Sequence, residues 1–310
     1  MKQDHTTRQK HRTSGIASSP GPLPYPPGSD FLYKPRFITL LTDFGLSDAY
    51  AGVMKGVIAS INPFARVVDL CHEVAPQDVH AAAFLMAASF AYFPRGTIHV
   101  AVVDPTVGTE RRALCVEAGD YVFVGPDNGV LSIACKRAGQ RKIVAIEEKK
   151  YFLSDRSRTF HGRDVFAPVA AHISAGVSID AFGPRVRSMK RILHSLPRIP
   201  TSGRIEGEIV HVDSFGNLIT NIDEETIRKV FPRINKRGLV IHCGGRSIHG
   251  LSDAYGEAKR GQALALIGSY GLMELAVRDG SASVTLGTKR GGAVTVERLR
   301  HRIAHIQRRR

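Results

Sequence analysis

The chain is short of several things that would place it quickly. Its four cysteines, Cys71, Cys115, Cys135 and Cys243, form no CxxC pair. That argues against a zinc site or a disulfide framework and for free thiols in a reducing compartment. No apolar run reaches the roughly 18 residues of a membrane-spanning helix, and the N-terminus lacks the apolar segment of a secretory signal. A cytoplasmic protein that does not enter membranes is expected. GxGxxG and GxxxxGKS/T stretches are absent, which removes the usual nucleotide loops. The TDFG at 42–45 looks like a kinase metal-binding triplet, but no Gly-rich loop, lysine strand or HRD loop precedes it. Acids are scarce, at 28 Asp and Glu against 43 Lys and Arg, for a net charge of +15. Residues 1–36 carry +4 of it and residues 289–310 carry +7, so the body between them is close to neutral. The tails read as solvated basic segments, or as contacts to nucleic acid or an anionic surface.

What is present is ordinary globular material, 43% hydrophobic and 23% charged over 310 residues, enough for two domains. Residues 1–36 are polar and then Pro-rich (PGPLPYPPG), a composition that cannot bury a core and predicts disorder. From residue 37 apolar strands alternate with helical segments: FITLLTD, a helix near 48–60 with Val53, Val57 and Ile61 at helical spacing, RVVDLC, a buried helix over 78–93 capped by Asp78, and TIHVAVVD. Continuous apolar strands between helices predict a parallel sheet covered on both faces. RRALCVEAGDYVFVGPDNGVL predicts two more strands around a Gly-Asp turn and then a helix near 129–138, with another helix near 163–175. HSLPRIPTSGR, residues 194–204, reads as a linker. Short strands with frequent turns follow, predicting a small β-barrel or sandwich. The expected layout is an α/β domain over 37–196, a β-barrel domain over 203–297 and a basic tail over 298–310.

Three first-half strands run into acids, Asp43, Asp69 and Asp104. Ligands of open parallel sheets bind beyond the carboxyl ends of the strands, although each acid could equally cap the following turn. In TFHGRDVF, His161 and Arg163 stand just ahead of a helix start, where a histidine could orient or deprotonate water or simply be a satisfied loop residue. In VDSFGNLITNI, Asp213, Phe215 and Asn217 suit an amine, an aromatic ring and its edge atoms, or a β-turn with Asp and Asn in turn roles. Asp43, Asp69, Asp104, His72 and His161 also fit a two-metal phosphoesterase. IGSYGLMELAV reads as a turn and then a strand or short helix.

The segments TDFGLSDAYAGVMKG, INPFARVVDLCHEV, GTIHVAVVDPTVGTERRA, VGPDNGVL, TFHGRDVFAPVAA, VDSFGNLITNI and IGSYGLMELAVRDGSAS together resemble the S-adenosylmethionine hydrolases, or SAM hydroxide adenosyltransferases, relatives of the fluorinating and chlorinating enzymes. The resemblance spans about residues 37–297. It implies attack of water on C5' of the SAM ribose, release of L-methionine and formation of adenosine, with no metal or organic cofactor. It also implies that Asp104, Arg111 and His161 surround the attacking water, with Asp104 accepting from the water or a ribose hydroxyl and His161 orienting the water or taking its proton. Asp43 matches the acid on the ribose diol and Asp213 the acid near the methionine amine. Asn217 matches the adenine-edge amide with Phe215 beside it, Ser269 and Tyr270 a pair at the methionine end, and Glu274 and Val277 positions near the adenine. Tyr255 is placed by its spacing before Gly261. In the halogenase branch the Asp is a Tyr, so Asp104 with His161 points to the hydrolase branch. Two positions depart from the pattern. Thr106 stands where relatives have Gly, which predicts strain if φ is positive there, and Gln77 stands where halogenases carry Trp. The resemblance further implies a homotrimer with the site between subunits. A non-catalytic SAM- or adenosine-binding protein with nucleic-acid-binding tails is the other alternative.

Overall fold

The computed structural model describes residues 36–192, 196–232 and 235–299. The disorder and nucleic-acid contacts expected of the tails fall on residues outside these. The chain divides near residue 193 into two compact units.

The first unit begins with β1 (Phe37–Thr42), α1 (Tyr50–Ile61), β2 (Arg66–Cys71), α2 (Val79–Ser89) and β3 (Ile98–Val102). It continues through β4 (Ala113–Ala118), β5 (Tyr121–Pro126), α3 (Ser132–Ala138), β6 (Gln140–Ala145) and α4 (Ala167–Ser174). The sheet order is β2-β1-β3-β5-β4-β6. β2, β1, β3 and β5 are parallel, whereas β4 runs antiparallel to both β5 and β6. The sheet is therefore parallel only on one side. The tight Gly119-Asp120 turn forces β4 and β5 into a hairpin, and β6 is a strand that periodicity did not reveal, because QRKIVA starts polar.

Alternation explains why the strands read as unbroken apolar runs. Ile38, Leu40, Val100 and Val124 face α1 and α4, while Leu41, Ala101, Val103 and Phe123 face α2 and α3. Both faces are buried, so both parities must be apolar. Helix α1 buries Ala51, Met54 and Ile58; of the expected stripe, Val57 and Ile61 pack partly buried against the same core, whereas Val53 is exposed. Asp78 caps α2 as expected, its carboxylate accepting from Ala81 N at 2.9 Å.

The second unit is an antiparallel sheet of β7 (Arg198–Thr201), β8 (Arg204–Val212), β9 (Leu218–Asp223), β10 (Leu239–Cys243), β11 (Arg246–His249), β12 (Ala263–Ile267), β13 (Leu272–Val277) and β14 (Ala293–Arg298). Short helices α5 (Glu224–Val230) and α6 (Ala282–Leu286) join them. The order β11-β10-β14-β8-β9-β13-β12 curls until Ser252, just past β11, bridges Leu266 of β12, which leaves a nearly closed barrel. β7 pairs with β8, so part of the stretch read as a linker is an edge strand. Strand β14 carries buried Val294 and Val296, so the start of the C-terminal basic segment belongs to the barrel. Cys115, Cys135 and Cys243 are buried, and all four cysteines are free.

Candidate active site

In the first unit the side chains gather where β1 and β3 end. Thr42 pairs with Val102 in register, so Asp43 and Asp104 follow neighbouring strands. Asp69 does not share this edge. It lies inside β2, level with Leu40, and is bound by Lys55 at 2.6 Å and approached by His72 at 3.0 Å.

After β3 the chain turns back at once. Val107 N donates to Asp104 O at 3.2 Å and Thr109 N to Thr106 O at 3.3 Å. The left-handed residue of this turn is Gly108, at φ 79°, not Thr106. Thr106 is therefore unstrained, and its hydroxyl donates to Asp104 Oδ1 at 3.1 Å. A Cβ on Gly108 would stand 2.7 Å from the carbonyl oxygen of Arg158, so the turn lies directly against the loop that carries His161.

The turn brings Arg111 back onto Asp104. Arg111 Nε and Nη2 lie 2.8 and 2.5 Å from Asp104 Oδ2, and each side chain is only 4% exposed. A carboxylate beyond a buried strand is tolerable because a guanidinium neutralises it in place. Arg111 also lies over the Phe166 ring, 5.3 Å from its centroid, and its Nη2 reaches His161 Nδ1 at 2.9 Å. A guanidinium has donors only. Nδ1 of His161 must therefore accept, which leaves the hydrogen on Nε2. Burial lowers the His161 pKa, and the charges of Arg111 and Arg156 lower it further against the opposing pull of Asp104 and Asp164. The ring is neutral, and its free edge is an N–H donor. The geometry thus favours orienting a water over taking its proton. Beside this cluster lies an open cavity of about 590 Å³ walled by Thr106, Arg111, Arg112, Asp127 and Lys190.

His161 caps a single π-helical turn, Gly162–Phe166, that leads into α4. Asp164 within it is fully buried and accepts from Ser157 N at 2.7 Å and from Arg163 Nε at 2.5 Å. This anchor was readable only as an acid set among apolar neighbours in DVFAPVAA. A second unforeseen partner is the Gln77 backbone N–H, which donates to Asp43 Oδ2 at 2.8 Å.

The second unit holds the remaining predicted residues. Asp213 closes the β8–β9 turn: its Oδ1 accepts from Phe215 N and Asn217 N at 2.9 and 2.8 Å, and its Oδ2 from Asn217 Nδ2 at 3.0 Å. Turn roles for Asp213 and Asn217 are thus fulfilled, and Phe215 projects at the tip, 77% exposed. Tyr255 donates to Glu274 Oε1 at 2.7 Å. Burial raises the Glu274 pKa, Tyr255 opposes this, and the Asp213 charge adds to it. The Tyr255 pKa is also raised, by burial first and then by Glu274 and Asp213. Ser269 and Tyr270 occupy the hairpin between β12 and β13, closed by Gly271 N on Gly268 O at 2.9 Å. Val277 does not join these residues through its side chain, which packs in the barrel core.

The metal arrangement considered from the sequence does not assemble. Among the described residues no three His, Cys, Asp or Glu gather to hold an ion. Asp69 and His72 face each other, and Arg111 stands between Asp104 and His161.

Comparison with known proteins agrees over both units. Residues 38–183 match the SAM hydroxide adenosyltransferase N-terminal domain and residues 207–295 the C-terminal domain. The chain is 39% identical over 263 residues to the (R)-S-adenosyl-L-methionine hydrolase of Thermus thermophilus, covering 83% of this chain and 97% of that protein. It is 35% identical to the protein of the same name from Salinispora tropica, covering 84% and 97%. A fluorinase of Nocardia brasiliensis is 24% identical, with 84% of this chain and 96% of that one covered. The crystal structure of an uncharacterised conserved protein from Thermotoga maritima superposes with a TM-score of 0.79 at 36% identity, covering 84% of this chain and all of that one. With both domain models matched in order and full-length relatives well above 30% identity, the chain belongs to the SAM hydroxide adenosyltransferase family.

Proposed function

We propose that the protein hydrolyses S-adenosyl-L-methionine to adenosine and L-methionine. The observation that carries this is the Asp104–Arg111–His161 cluster at the end of β3, with a buried ion pair against a half-buried ring. A water oxygen forms the new bond to C5' while the C5'–S bond breaks, the sulfur keeping the electron pair as a neutral thioether. One proton is released. Among the described residues Asp104 Oδ1 holds a single hydrogen bond, from Thr106, and so can accept from the water or a ribose hydroxyl. The N–H of His161 at Nε2 orients the water, and the Arg111 charge stabilises hydroxide character at the moment of attack. Because a sulfonium is already a good leaving group, the reaction calls for positioning rather than a cofactor.

Substrate-binding roles follow the family pattern. Asp43 takes the ribose diol, Asp213 the methionine amine, Asn217 and Phe215 the adenine, and Ser269 and Tyr270 the methionine end. Glu274 is placed near the adenine with Tyr255 fixing it, and Val277 contributes through its backbone. A homotrimer whose site combines the first unit of one subunit with the second unit of its neighbour is part of the proposal, as is a cytoplasmic setting, supported by four free thiols. Sedimentation reads the trimer directly.

The chemical test is chromatography of protein incubated with SAM and EDTA, with and without chloride. Equal adenosine and methionine, unaffected by EDTA and abolished in Asp104→Ala, is the expected result. Chlorodeoxyadenosine would move the protein to the halogenase branch. Turnover lost on chelation would restore the metal reading.

A further inference from the structure

Gln77 is one of two non-glycine residues with positive φ among the described residues, at 65°. Side chains beyond glycine pay a steric penalty there, and such outliers persist where the surroundings fix them. Its side chain is exposed and makes no hydrogen bond to the described residues, so packing among them does not explain the conformation. What the conformation does is aim the backbone N–H at Asp43, and this is the only hydrogen bond the Asp43 carboxylate receives from the described residues.

Behind Asp43 lies a second support. Thr42 Oγ1 accepts from Phe44 N at 3.2 Å and pairs with His72 Nδ1 at 2.8 Å. The His72 carbonyl accepts from Gly45 N at 2.8 Å. His72 is 3% exposed, and its Nε2 lies 3.0 Å from Asp69 Oδ1, at an angle short of a full hydrogen bond. Lys55 holds Asp69 from the other side. Both residues flanking the turn at Asp43 are thus tied to the end of β2, and the carboxylate itself is tied to the turn before α2.

We propose that Gln77 and the Thr42–His72 pair are positioning residues that hold the Asp43 carboxylate with Oδ2 bound to protein and Oδ1 free for a vicinal diol. The proposal rests on the reading of Asp43 as the ribose-binding acid. It deepens that reading by assigning the orientation of the acid to the Gln77 backbone and to the Thr42–His72 pair behind it. Binding of a ribose should then depend on these residues, whereas binding of a sugar without the diol should not.

The test is calorimetric titration of the full chain with adenosine and with 2',3'-dideoxyadenosine. Asp43→Asn is expected to erase most of the preference for adenosine; if it does not, the ribose reading of Asp43 fails and takes this proposal with it. With that control in hand, Gln77→Val, whose branched side chain resists a left-handed backbone, should weaken adenosine binding about tenfold, the equivalent of one hydrogen bond. Dideoxyadenosine binding should not change. Gln77→Gly, which adopts the same φ freely, should keep the preference. Thr42→Val, nearly isosteric but without the hydroxyl, should repeat the selective loss with circular dichroism showing an intact fold. Folded Gln77→Val and Thr42→Val proteins that retain the full preference, or lose affinity for both ligands equally, would overturn the assignment.

Discussion

Arg111 donates from Nη2 to Nδ1 of His161 at 2.9 Å. That one contact decides what the histidine can offer, because a ring that accepts at Nδ1 carries its hydrogen at Nε2. A glutamine amide can place an N–H where Nε2 stands. His161→Gln should keep turnover within about tenfold of the parent, while His161→Ala should lose about 10²–10⁴-fold, the range of a positioned proton-transfer or water-orienting group. Adenosine release under saturating SAM measures both. Equal losses would mean that the ring takes the proton.

The acid limb of the pH profile follows from the same ring. The active form is neutral, and burial followed by the Arg111 and Arg156 charges lowers its pKa below 6.5. Activity should therefore persist as pH falls through 6.5 and decline only below it. Arg156→Ala removes one cation, so the decline should move up toward 6.5. A kcat profile of both proteins shows the displacement.

Arg111→Met keeps the stem but strands Asp104, whose side chain is 4% exposed. Breaking a buried pair on one side costs about 3–5 kcal/mol. A clear drop in the denaturation midpoint is expected together with loss of turnover. The double variant Arg111→Met/Asp104→Leu should regain much of the stability and none of the activity.

Gly108→Ala tests the packing of the two loops. It places a Cβ 2.7 Å from Arg158 O at a φ of 79°. The left-handed backbone alone costs about 1–2 kcal/mol, and relief of the clash must move the His161 loop. Turnover should fall more than stability does, as read by kcat beside a urea titration.

His99 controls acid stability away from the site. It is fully buried on β3, stacked on Phe123 with ring centroids 5.2 Å apart, with Nδ1 2.8 Å from Thr39 Oγ1. Burial pulls its pKa from 6.5 to about 3. Below pH 6.5 the unfolded chain takes a proton at this residue that the folded chain refuses until about pH 3. Stability should thus fall across that window, by on the order of 5 kcal/mol from this residue. The double variant His99→Leu/Thr39→Val leaves no orphaned partner and should flatten the loss. Denaturant titrations at pH 7, 5 and 4 would show it.

Much of this was legible in the residues. Strands buried on both faces announce themselves as unbroken apolar runs, so β1, β3 and the two-layer covering of the first unit were readable, as was the Asp78 cap. β6 was not, because its first three residues are polar and only Ile143, Val144 and Ala145 are buried, too short an apolar run to stand out. Asp104, Arg111 and His161 were nameable by resemblance, and the Gly turn between Asp104 and Arg111 signalled the return of Arg111 toward the strand end. The direction of the Arg111–His161 hydrogen bond was not readable, since it depends on which ring nitrogen faces the guanidinium. Gln77 gave no signal either. A left-handed glutamine is written nowhere in the sequence; it shows only where its N–H meets the carboxylate 34 positions earlier.

The π-helical turn at Gly162–Phe166 makes the site sensitive to chain length. Such a turn holds one residue more than an α-helix needs to cover the same rise. Deleting a single residue there would let the segment close as ordinary α-helix and carry His161 about 100° around the axis, the angle per residue of that helix. The ring would leave Arg111 although every functional side chain was still encoded. For this protein a frame-preserving deletion of three nucleotides in that stretch would act as a loss of the site, with the core of α4 left in place.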